Sequence, residues 1–144
     1  MKWTLLTITV LIMNISTKGQ DKMPGIDSQV TFLYYKDIDK AQEFYGESLG
    51  LKKTFDQGWV RIFQISSTSY VGLVDESRGS HNSSQNKPVM LSIVTSDVEG
   101  WYEVLTAKGI KIISELSDSG SVPVKAFLVE DPEGYTVEFF QWIK

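Results

Sequence analysis

From residue 30 onward, apolar and polar positions switch between a period of two and a period near 3.6, and the switch happens twice. Val30 to Tyr35 (VTFLYY) is a β-branched and aromatic run, which predicts a strand. Asp37 follows as a short acceptor suited to capping free backbone N–H groups. Ile38, Ala41, Phe44, Tyr45 and Leu49 then share one helical face, and Gly50 ends it. In the second half, Met90 to Val94 (MLSIV) predicts the strand and Asp97 the cap. Val98, Trp101, Tyr102 and Leu105 form the apolar face there, and Gly109 ends it. The two caps stand 60 residues apart and the two glycines 59. Helices are expected over 37–48 and 97–108. Three strands are expected after each: 51–55, 59–65 and 70–74, then 110–116, 124–129 and 135–141.

The pattern predicts an α+β fold of paired βαβββ modules related by a pseudo-twofold axis. A repeat near 60 residues is longer than solenoid periods, so two copies read as one domain. Its modules span 28–75 and 88–143. The segment between them, DESRGSHNSSQNKP, is polar and rich in Gly, Ser and Asn, which predicts a surface loop. Each helix should cover one face of its sheet, leaving the other face to curve around a shared cleft.

The first residues have a different pattern. Lys2 precedes an uncharged, mostly apolar run of eleven, Trp3 to Met13, and a polar stretch with small residues follows. This is the layout of a secretory signal peptide over 1–19, with Thr17 and Gly19 preceding a cut before Gln20. A first β-strand is the competing reading, since Thr, Ile and Val form strands. The run is shorter than the roughly 20 apolar residues a membrane span needs, so no stable anchor is expected after processing. Residues 20–27 would be a linker, and the protein secreted or periplasmic.

Composition removes several functions. The chain of 144 residues has 18 acidic against 14 basic side chains, and the loss of Lys2 and Lys18 would make the balance more acidic. No basic cluster supports nucleic-acid binding. Zero cysteines exclude disulfides, thiolate metal sites and a cysteine nucleophile, and the single His81 excludes a multi-histidine site within one chain. His81 sits in the loop and reads as a solvated side chain.

Two segments carry a resemblance to a known family. Asp37-Ile38-Asp39-Lys40-Ala41-Gln42-Glu43-Phe44-Tyr45, followed by Leu49-Gly50-Leu51, is similar to the helix signature of the vicinal oxygen chelate superfamily. Asp131-Pro132-Glu133-Gly134-Tyr135-Thr136-Val137-Glu138-Phe139 resembles its closing hairpin. That superfamily holds glyoxalase I, bleomycin- and fosfomycin-resistance proteins and extradiol dioxygenases. The resemblance covers about 28–143. It implies four metal-ligand positions in the cleft, which here hold Val30, Gly72, Met90 and Glu138. One carboxylate among four positions cannot hold a catalytic divalent ion, so no metal or other cofactor is expected.

If position 30 faces the cleft, alternation brings Phe32 and Tyr34 with it; Met90 brings Ser92 and Val94, and Glu138 brings Thr136 and Phe140. Thr31, Leu33, Tyr35, Val137 and Phe139 would pack beneath the helices. The expected ligand set is therefore Val30, Phe32, Tyr34, Gly72, Met90, Ser92, Thr136, Glu138 and Phe140, an apolar and aromatic lining with a few polar handles. Arg61 joins it as a lone arginine in an apolar strand, either exposed or paired with Glu138. Three functions stay open. The first is a metal-free binding protein for a small organic molecule. The second is a lyase- or isomerase-type enzyme with Glu138 as general base. The third is an interaction protein whose cleft is filled by side chains. The resemblance also implies a homodimer in which the subunits complete each other's clefts.

Overall fold

In the computed structural model the described residues are 24–143, so the expected signal peptide and its cut lie outside them. The first module runs β1 (Gln29–Tyr35), α1 (Ile38–Gln42), β2 (Lys52–Asp56), β3 (Val60–Gln64) and β4 (Ser69–Asp75). The second runs β5 (Met90–Val94), α2 (Val98–Ala107), β6 (Ile112–Asp118), β7 (Val124–Glu130) and β8 (Thr136–Trp142). Both caps form as the sequence predicts. Asp37 accepts from the Lys40 N–H at 3.1 Å and Asp97 from the Gly100 N–H at 2.9 Å. Gly50 and Gly109 sit at φ of 68° and 69°, a left-handed turn out of the helix that a side chain would oppose.

The first helix departs from expectation in its second half. It is α-helical only to Gln42, and Glu43–Ser48 widens into π-helical turns in which the Leu49 N–H bonds Phe44 O at 2.9 Å. Phe44, Tyr45 and Leu49 are nevertheless all buried. An apolar pattern at i, i+3 and i+4 tolerates the wider turn, so it could not reveal it.

The sheets have the orders β1-β4-β3-β2 and β5-β8-β7-β6, the first strand of each pairing parallel with the last. A parallel pair needs a crossover, which α1 and α2 supply. The registers match: Phe32 lies across from Gly72, and Ser92 across from Glu138.

Helix-side residues of both modules form one core. Leu33, Tyr35, Phe63 and Val71 join Ile93, Phe127, Val137 and Phe139 in it. Of the expected core set only Thr31, near the start of its edge strand, is half-buried rather than buried. Trp101 stacks on Phe139 with ring centroids 4.8 Å apart, and Tyr102 meets Phe127 edge-on at 5.2 Å. Long-range contacts at the helix ends help to tie the halves. The Lys108 ammonium donates to Ser48 O at 2.7 Å and Glu47 O at 3.0 Å, capping the first helix from the second module. The Asp37 N–H donates to Glu133 at 2.7 Å.

Candidate functional site

The faces turned away from the helices carry the even-numbered strand residues, except where bulges in β2 and β6 shift the phase and bring Phe55 and Ser117 onto them. On the first module they surround a cavity of about 280 Å³, walled by Phe32, Tyr34, Phe55, Trp59, Ile62 and Val74. Gly72 shapes it. A Cβ at 72 would overlap the Phe32 ring, so the ring lies over the sheet where a side chain would otherwise stand. Phe32 remains 47% exposed, an open apolar surface unusual for a phenylalanine.

The matching face of the second module is polar. Ser92 Oγ donates to Glu138 Oε2 at 2.6 Å. Beside them a shallow depression of about 160 Å³ is lined by Ser114, Ser117, Ser119, Ala126, Leu128 and Glu138. No second titratable side chain lines it. Toward β5 and the end of β8 the face turns apolar again: Met90 is 47% exposed, Val94 57% and Trp142 62%. Phe140 packs edge-on against Trp142, with centroids 5.3 Å apart.

The expected site residues therefore divide between two surfaces. Phe32 and Tyr34 wall the first cavity, while Glu138 lines the second depression with Ser92 bonded to it. Val30 and Gly72 belong to the first open face by register, and Met90, Thr136 and Phe140 to the second. Arg61 is a correction. Val60 and Ile62 line the cavity, so alternation turns Arg61 to the helix side. Its guanidinium meets Asp39 at 2.7 Å and Asp56 at 3.6 Å and donates to Ile38 O at 3.4 Å, away from Glu138. His81 is exposed but not merely solvated, since its ring meets Tyr34 edge-on at 5.2 Å.

Sequence reasoning missed a buried cluster at the junction of the modules. Tyr35 donates to Asp131 Oδ2 at 2.7 Å and Tyr45 to the same oxygen at 3.3 Å. The backbone N–H groups of Glu133 and Tyr135 donate to Oδ1 at 3.0 and 2.8 Å. The Tyr135 hydroxyl in turn donates to Tyr34 O and accepts from Tyr34 N, each at 3.1 Å. The hairpin thus fixes the backbone of a cavity wall. Burial raises the Asp131 carboxyl above the ordinary 3.8, against the opposing pull of its hydrogen bonds from Tyr35, Tyr135, Glu133 and Tyr45. Burial, then the nearby acidic groups, push Tyr35 and Tyr45 well up.

The donor set does not fit a divalent metal. Position 72 has no side chain and Phe32 fills its space, Val30 offers no donor, and Glu138 is engaged by Ser92. Among the described residues no three His, Cys, Asp or Glu side chains gather into a metal-holding group.

The paired modules define the class. The family model for the Glyoxalase/Bleomycin resistance protein/Dioxygenase superfamily matches residues 27–139. The chain belongs to that superfamily. It is 25% identical over 121 residues to the uncharacterized protein YraH of Bacillus subtilis (strain 168), covering 77% of this chain and 94% of that one. Among solved structures, TioX from Micromonospora sp. ML1 superposes with a TM-score of 0.68 at 21% identity, covering 81% of this chain and 98% of that one. A lactoylglutathione lyase from Agrobacterium tumefaciens gives 0.66 at 22% identity, covering 83% and 96%. At such identities the likeness is one of fold, and function rests on the site.

Proposed function

We propose that the chain is an exported binding protein that holds a small organic molecule on these open faces without a catalytic metal. The observation that carries the reading is the aromatic cavity on the first module, where Phe32 lies over the vacant position 72. A ring-walled recess open to solvent is the composition of a ligand pocket, and its volume lies just below the usual range of roughly 300–1,000 Å³. The exposed Met90, Val94 and Trp142 on the second module support a homodimer in which one copy's polar face closes over the other's aromatic cavity. Glu138 of the closing copy then accepts a hydrogen bond from a hydroxyl or amine donor of the ligand, apart from any negative group it carries.

The test is a nuclear magnetic resonance screen of the isotope-labelled chain against neutral and charged bicyclic aromatics. Binders should shift the signals of Phe32, Trp59 and Val74. Shifts confined to the groove between the helices, at Ser48, Trp101 and Lys108, would defeat the reading. Sedimentation should give a dimer, elemental analysis no stoichiometric Zn, Ni, Mn or Fe, and mass spectrometry of the native protein a start at or within a few residues of Gln20. A monomer at working concentration removes the closing copy, and an intact Met1 on folded protein removes export.

A further inference from the structure

The cavity has a wall that no strand supplies. At the end of β4, Asp75 Oδ1 accepts from the Ser77 N–H at 2.9 Å and from the Ser77 hydroxyl at 2.7 Å, where the linker begins. The N–H groups of Arg78 and Gly79 both donate to Asp75 O, at 3.1 and 3.0 Å. This tight turn presses Gly79 onto the cavity: a Cβ there would stand 2.6 Å from Val74 and 2.7 Å from Tyr34, so a larger residue would push the linker away. Ser83 N–H, bonded to Glu76 at 2.7 Å, ties the return of the linker.

The turn sets two basic residues against the aromatic walls. The Arg78 guanidinium lies 5.6 Å over the Trp59 ring, and the His81 ring meets Tyr34 edge-on. Arg78 forms none of the ion pairs among the described residues. Asp75 and Glu76 already accept from the linker's own donors, and no acidic side chain of the same chain lines the cavity. An apolar recess with a guanidinium and an imidazole N–H donor against its walls complements a flat body with one negative group.

We propose that the linker turn makes the first-module cavity selective for an aromatic carboxylate, with Arg78 and His81 as the residues that read the carboxylate. The proposal rests on the binding function above and names its ligand class. Arg78 suits the task because its planar fork matches carboxylate geometry and stays charged at all working pH values.

Calorimetry on the full chain with 2-naphthoate, 2-naphthalenemethanol and 2-naphthylmethylammonium tests it, with chemical shifts of Phe32, Trp59 and Val74 locating each probe. In the parent, naphthoate should bind at least tenfold more tightly than the alcohol, with the ammonium weakest. In the Arg78→Gln/His81→Gln double variant, naphthoate should fall to the alcohol's affinity while the alcohol stays within twofold of its parent value. An unchanged thermal melt confirms the fold. Equal binding of the three probes, or a preference that survives in the double variant, overturns the carboxylate proposal and leaves the binding function standing. If no probe shifts the cavity signals, the binding function falls and the proposal with it.

Discussion

At the same point in the register, the first module sets Phe32 across from Gly72 and the second sets Ser92 across from Glu138. The backbones correspond strand for strand, and the helix-side residues of both enter one core. The open faces diverge into an aromatic recess and a serine-lined carboxylate. The buried side of each strand answers to packing, where loss of volume is costly. The open side is released from that demand and can carry chemistry.

The sharpest way to break the comparison is to cut the junction that keeps the two halves together. Asp131→Ala leaves two tyrosine hydroxyls and two backbone N–H groups without their acceptor. Urea unfolding should show a loss of about 3–5 kcal/mol with little change in the slope.

A smaller effect follows from moving one module's chemistry into the other. Gly72→Glu must expel the Phe32 ring, and should cost about 1–3 kcal/mol and abolish probe shifts at Trp59. Adding Phe32→Ser rebuilds the Ser92–Glu138 arrangement on the first face, and the double variant should recover about 1 kcal/mol. A purely additive cycle would show that the two faces differ in more than these side chains.

The junction also has a pH signature. Because the folded Asp131 carboxyl titrates above its ordinary value, the folded chain holds that proton more firmly than the unfolded chain. Its contribution to stability is fully present below the unfolded value and is lost as pH rises through the folded one. The stability of the parent relative to Asp131→Asn, measured by urea unfolding from pH 3 to 7, should therefore fall with rising pH. A rise would place the carboxylate's hydrogen bonds ahead of its burial.

The smallest stability change is expected from Glu138→Gln. The amide keeps an acceptor for Ser92 on a half-exposed face, so the melt should move by less than about 1 kcal/mol. Binding of a ligand with a hydrogen-bond donor should weaken measurably in calorimetry.

Local signals read well. Asp37 and Asp97, with the apolar faces that follow, located both helices, and alternation placed Leu33, Tyr35, Val137 and Phe139 in the core. Partners distant in the chain did not read. Asp131 is separated from Tyr35 by 96 residues and from Tyr45 by 86, so its hairpin displayed a family likeness without revealing its bonds. Arg61 was misplaced because its side of the strand depends on the phase of β3 against β4, which fixes Ile62 across from Gly72. His81 was read from a polar composition that gives no path for the loop.

The separation of Asp131 from Tyr35 and Tyr45 bears on how the protein is made. A growing chain completes β4 at Asp75, 56 residues before it reaches Asp131, the acceptor of two buried tyrosine hydroxyls in the first module. Until then the Tyr35 hydroxyl has only the Tyr45 hydroxyl as acceptor, at 3.2 Å, and the Tyr45 hydroxyl lacks its own, at a cost of about 1–3 kcal/mol. β5 likewise waits for β8 to join it as a parallel neighbour. Sequence separation of this kind slows closure, so the native state forms only once the closing hairpin and β8 have been made.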